Sequence, residues 1–288
     1  MSKTKRHHLV PRLYLKYFSI DGKQTYTYFN NLGLCKLVGI KDVSVKENFY
    51  TVTHQNITED FIESTLSSKL EPLWRECIDG IIKYAHQEHN QINLRNICKC
   101  LICQYYRGRD FREEATIISE FRINLFRELF KIGAISNAKQ KTDNHSLEHA
   151  LNTFLNEPLI EKKTEQILNL GKWSIMISDR HHFITSDRPV LSFTINMHNN
   201  QIYYTKTDIG SPSSYILIAI TPNILLQIKQ GTETRSEYNG QLNLSIMTVD
   251  EEYVKSVNYL QQLNSDEHLY GKYKFDPKIS DYTIDDES

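Results

Sequence analysis

Of the chain's 288 residues, 40% are hydrophobic and 24% charged, which suits a buried core and argues against disorder. Its 34 Lys and Arg against 35 Asp and Glu give a formal net charge of -1, excluding a global basic field for nucleic acid while allowing a local basic patch. No run reaches the roughly 20 apolar residues that span a bilayer, and the best candidate, 215–228, is interrupted by Pro222.

The chain opens with an extended segment over 6–11 and a helical turn or two over 12–18. Asp21-Gly22 turns into a strand over 24–29, where polar and aromatic residues alternate. A second extended stretch, 37–52, alternates at Val43 and Val45 before breaking into Asn48-Phe49-Tyr50-Thr51. Thr58 is a good N-cap, and Ile62, Leu66, Leu70, Leu73, Cys77 and Ile81 then recur at helical spacing. A second helical region follows Asn93, through Leu94, Ile97, Leu101 and Tyr105 and on to Ile118, Phe121, Leu125 and Leu129. Residues 138–144 read as a loop, and a third helix covers 146–170. Strands at 173–177 and 182–185 are expected to pair around Ser178-Asp179-Arg180, with further strands at 201–207 and 215–220 and a last helix at 250–263.

This order of elements predicts an α+β fold: N-terminal strands, a central long-helix block, then antiparallel strands and a final helix. It fits one domain over 1–276 with a helical insertion at about 58–170, followed by an acidic tail at 277–288. Five cysteines, an odd number without framework spacing, suit a reducing cytoplasm, and the basic N-terminus has no apolar stretch of a secretory signal.

Four clusters carry polar chemistry. In His7-His8-Leu9-Val10-Pro11-Arg12 the imidazoles titrate near neutrality and can orient a ligand or shuttle protons; the plainer reading is a polar segment before a Pro-started helix. In Asn48-Phe49-Tyr50 a strand tyrosine can stack on a flat ring, or simply fill the core. Gln104 and Arg107 share a helical face, with Arg112 near it, and guanidinium forks suit phosphate; a solvated face paired with Glu113 and Glu114 is the alternative. Glu63 and Glu71 lie about 80° apart around the preceding helix at ~100° per residue, as partners of those arginines or as catalytic carboxylates. In Phe183-Ile184-Thr185-Ser186-Asp187-Arg188-Pro189, Ser186 and Asp187 either cap a turn or present a hydroxyl and a carboxylate to a ligand. Cys98, Cys100 and Cys103 crowd one helix without a second Cys/His pair at zinc spacing, and no phosphate-loop, dinucleotide, serine-elbow or zincin motif occurs, so a metal-free chemistry is expected.

Together these motifs resemble the bacterial family of unknown function numbered 4238. Its opening pattern is matched by His7, His8, Pro11, Tyr14, Leu15 and Phe18, its N-F-Y by Asn48, Phe49 and Tyr50, and its acidic helix positions by Glu63 and Glu71. Gln104 and Arg107 match its Q-x-x-R, and Phe183 to Asp187 with Pro189 match its F-I-T-S-D-x-P; Arg188 stands where a smaller polar residue is expected. The family label implies no activity, but it suggests that these polar residues surround a common site.

The opening also looks like the start of ADP-ribosyltransferase toxins. That resemblance implies NAD as co-substrate, with His8 holding the nicotinamide ribose, Tyr50 stacking on nicotinamide and Glu63 or Glu71 steering the acceptor. Substrate contacts would fall to His7, Asn48, Gln104, Arg107, Arg112, Ser186 and Asp187. The expected protein is a toxin-like effector of a phage-defence or toxin–antitoxin setting, modifying a nucleic-acid acceptor without a metal and held by an antitoxin or chaperone. Two alternatives stand beside it: a metal-independent ribonuclease using His7 or His8 with Arg107 and Arg112, and a non-catalytic nucleotide- or protein-binding module.

Overall fold

A computed structural model of the chain describes residues 6–47, 68, 70–88, 92–107, 157–198, 201–231 and 244–277. Strand β1 (Arg6–His8) pairs antiparallel with β4 (Val45–Glu47), placing Arg6 opposite Glu47 and His8 opposite Val45. Pro11, with φ fixed near the helical value, precedes helix α1 (Arg12–Leu15), which tightens into a 3-10 turn over Lys16–Phe18. Leu13, Tyr14, Leu15 and Phe18 are all buried there. Strands β2 (Gln24–Phe29) and β3 (Leu34–Gly39) form a hairpin whose turn contains Gly33 at φ 63. The stretch 37–52 was expected to run extended, but β3 ends at Gly39. The chain turns at 40–44, with Ser44 at φ 53, before β4 begins.

Helix α2 (Glu71–Ala85) has Pro72 in its first turn, where a missing N–H costs nothing, and buries Trp74, Cys77, Ile78, Ile81 and Ala85. Helix α3 (Leu94–Tyr106) starts at Asn93, whose side chain accepts the Asn96 N–H at 3.1 Å. Helix α4 (Glu157–Leu168) lies against α3, joined by Arg95 and Lys99 to Glu161 and by Arg95 to Glu165. The expected helical turns from 58 to 67 and around 118–129, the loop at 138–144, the start of the third helix and the tail beyond 277 lie outside the described residues.

The C-terminal third supplies β5 (Gly171–Ile177), β6 (Thr185–Ser186), β7 (Leu191–His198), β8 (Gln201–Lys206), β9 (Tyr215–Thr221), β10 (Ile224–Gln230), β11 (Ser245–Thr248) and β12 (His268–Gly271). Helix α5 (Glu251–Asn264), capped by Asp250, comes before β12. One sheet runs β11-β5-β10-β9-β7-β8 and a second β3-β2-β12-β6; every ladder is antiparallel except β11 with β5. The fold is α+β. Pro222 sits in the tight turn between β9 and β10, so the apolar stretch 215–228 is a hairpin. Among the described residues no helix is long and apolar enough to cross a membrane.

The expected pairing of 173–177 with 182–185 does not form. Strand β5 takes β10 and β11 as neighbours, and the chain crosses to the other sheet before β6. The crossing is anchored to the β9–β10 turn, with the Ser178 N–H on the Asn223 carbonyl at 2.9 Å and the Phe183 N–H on the Pro222 carbonyl at 2.8 Å.

One phenol ties these parts together. The buried Tyr14 hydroxyl donates to the Ala219 carbonyl of β9 at 2.5 Å and lies 2.9 Å from Thr185 Oγ1 of β6. Its ring stacks on Trp74 of α2 at 6.4 Å between centroids. Tyr14→Phe keeps the ring but strips the Ala219 carbonyl of its donor, and should lower stability by about 1–2 kcal/mol. Urea unfolding checks this; an unchanged midpoint would show that the hydroxyl is not a structural link.

Candidate active site

In a strand successive side chains face opposite sides, so His7 and His8 diverge from β1. His7 is 2% exposed and packs inward; His8 is half-buried on the other face. Burial is the main cause that pulls the His8 pKa down to about 4, and the guanidinium groups of Arg12, Arg107 and Arg6 add to it, against the Val43 carbonyl, which favours the proton. His8 is therefore a neutral imidazole at neutral pH. Its Nδ1 is buried without a hydrogen-bond partner.

Beneath His8 lie the last turn of α3 and the first of α2. Arg107, at the C-terminal cap of α3, is 1% exposed, and its Nη1 lies 3.8 Å from Glu71 Oε1. Gln104, 4% exposed, donates from Nε2 to the Leu9 carbonyl at 3.3 Å and so fixes the chain just after His8; its Oε1 is buried without a partner. Four sequence-predicted site residues, His8, Glu71, Gln104 and Arg107, are thus brought together. Gln104 and Arg107 are too deeply buried to meet a ligand directly. They position His8 and set its electrostatic surroundings.

The residue that sequence reasoning missed is Arg12. It is exposed at the start of α1 and close enough to be the largest charge acting on His8. The signal was available: Pro11 starts a helix, and that places Arg12 beside the end of the His8 strand. Arg6, paired with Asp42 at 3.1 Å, adds a further cation at the rim.

Ser186 and Asp187 are elsewhere in function, being 0% and 5% exposed. Ser186 Oγ accepts the Arg188 N–H at 2.9 Å and the Gln261 side chain of α5. The Asp187 carboxylate accepts the backbone N–H groups of Asp266, Glu267 and His268 at 2.9, 2.7 and 3.1 Å. Arg188 forks onto Asp266, at 2.7 Å from Nε and 2.6 Å from a terminal nitrogen. The segment 183–189 is a staple between β6, α5 and β12, and the polar side chains of Ser186 and Asp187 are taken up within it. Asn48, Tyr50, Glu63 and Arg112 lie outside the described residues.

Cys98, Cys100 and Cys103 are buried in α3; burial raises the thiol pKa values of Cys98 and Cys103, that of Cys103 to about 12, and a contact with the Cys77 thiol, ahead of burial, raises that of Cys100. They are packing residues. Among the described residues no three His, Cys, Asp or Glu side chains are grouped to hold a metal ion.

The family model described as protein of unknown function (DUF4238) matches residues 6–275. The chain belongs to that family. No curated protein and no solved structure matches it.

Burial, outweighing the three N–H donors, raises the Asp187 pKa to about 6. The native state therefore holds this proton more tightly than the unfolded chain, whose Asp titrates near 4. The stabilisation from this group falls as pH rises from about 4 through 6, and Asp187→Asn should flatten that part of the profile. Asp187→Ala leaves three partly buried N–H groups without that acceptor and should cost about 1–3 kcal/mol near neutrality. Urea unfolding between pH 4 and 7 measures both.

Proposed function

We propose that this DUF4238 protein binds NAD at the His8–Arg12 site and transfers ADP-ribose to a nucleic-acid acceptor, as a toxin-like effector. The observation that carries the proposal is a neutral imidazole surrounded by guanidinium groups. A neutral imidazole accepts a hydrogen bond from a ribose hydroxyl, while the accessible Arg12 takes the pyrophosphate. Arg107, buried below, adds positive potential without touching the ligand. Glu71 is engaged with Arg107 and serves to position it, so the acceptor-steering carboxylate falls to Glu63. Tyr50 keeps the stacking role.

In the proposed step the bond between the ribose anomeric carbon and nicotinamide breaks, and nicotinamide leaves with the bonding pair. The acceptor then attacks that carbon and loses its proton to the carboxylate. The site contributes by positioning and by electrostatics.

A ribonuclease mechanism finds less support in the same geometry. It calls for an acid and a base on one phosphate, and His7 and His8 diverge to opposite faces of β1. With a pKa of about 4, His8 also carries no proton to donate at neutral pH.

Purified protein incubated with adenylate-labelled NAD and mixed nucleic acid should transfer label to the nucleic acid. His8→Ala and Arg12→Ala should each lower transfer at least about tenfold, the low end of what one positioned polar group contributes. RNA cleavage without label transfer would replace the proposal with the ribonuclease, and binding without either reaction would leave a nucleotide-binding module. Expression of the wild-type chain should slow growth, and the His8→Ala variant should relieve it.

A further inference from the structure

We propose that the cleft between α5 and the segment after β12 is a second site, which takes a nucleotide-type ligand: a flat ring carrying phosphate. Its volume is about 260 Å³, and the segment Lys272-Tyr273-Lys274-Phe275 forms one wall, alternating cation and aromatic. The opposite wall comes from α5, including Lys255, and from His182 ahead of β6.

The aromatic surface is built rather than incidental. The His182 ring stacks on Tyr273 at 4.3 Å between centroids, 28° from parallel, and the Lys272 ammonium lies 5.8 Å from the Tyr273 ring centre. Tyr273 remains 50% exposed. His182 Nδ1 is buried without a hydrogen-bond partner. Gly271 makes room for this wall: a Cβ there would lie 2.8 Å from the Phe275 ring, which would have to shift.

Hydrogen bonds hold the backbone under the cleft. Asn258 of α5 accepts the Ile184 N–H and donates to the His182 carbonyl, both at 2.9 Å, fixing His182 from behind. Lys255 is braced by Glu251 and Glu252, at 3.2 and 3.5 Å. Stacked aromatics flanked by lysines are the chemistry by which single-stranded nucleic acid and free nucleotides are held without sequence preference. The proposal does not depend on the NAD chemistry at His8, because the two sites share no residue.

Fluorescence anisotropy of the full-length protein with a labelled oligothymidylate, with AMP as competitor, tests it. Tyr273→Ala should weaken binding about tenfold, while Tyr273→Phe, which keeps the stacking face, should stay within about twofold. The double variant Lys272→Ala, Lys274→Ala should also lose about tenfold and show a shallower salt dependence. Competition by AMP identifies a free nucleotide as the ligand; binding of the strand that AMP does not displace identifies a nucleic-acid segment. The proposal is overturned if neither probe binds, if the Tyr273 and lysine variants bind as well as wild type, or if Arg12→Gln alone abolishes binding.

Discussion

The site around His8 depends on the burial of one guanidinium. Arg107 is 1% exposed at the end of α3, and burying such a charge costs several kcal/mol unless neighbours compensate. The compensation visible in the structure dictates local architecture: Glu71 must begin α2 where it can face Arg107, and α3 must end beneath β1. Gln104, one turn earlier, then holds the Leu9 carbonyl and fixes the exit from β1. Burial above all, and with it the positive potential of Arg12 at the rim and Arg107 below, keeps His8 uncharged. A site of this kind favours an incoming anion over a cation, and it does so before any ligand contact is made.

The rest of the fold brings that N-terminal assembly against the C-terminal sheets. Tyr14 hangs from α1 into the junction of β9 and β6, and Trp74 of α2 packs on its ring. On the far side of β6, Asp187 and Ser186 collect backbone groups from the chain ahead of β12 and the Gln261 amide from α5. The motif Thr185-Ser186-Asp187 is therefore a three-way joint. One residue faces the N-terminal helix, and the next two face the C-terminal helix and the return strand.

Much of this was legible in the sequence. The strand at 24–29, the last helix and the described part of the helix after Asn93, through Tyr106, form where their periodicity places them. The expectation that the polar motif residues surround one site covers more than the structure brings together: His8, Glu71, Gln104 and Arg107 lie near one another, whereas Ser186 and Asp187 are taken up in other contacts. The failures have local causes. Residues 182–185 look like the partner of 173–177 because a short turn joins two apolar runs; nothing in that stretch reveals that β5 prefers β10, nearly 50 residues on. Ser186 and Asp187 look like a ligand-facing pair because capping and ligand binding use the same atoms, and only tertiary contacts separate the two uses. Arg12 was passed over because it stands beside two histidines. The Lys272 to Phe275 alternation follows a four-residue strand too short to carry a period of its own.

The central claim concerns the charge state of one ring, and NMR can read it directly. In the free protein the His8 imidazole, assigned among the 11 histidines by its absence in a His8→Gln variant, should titrate near 4 and move upward when pyrophosphate is added. A His8 that titrates near the ordinary value of about 6.5 and ignores the anion would contradict the account.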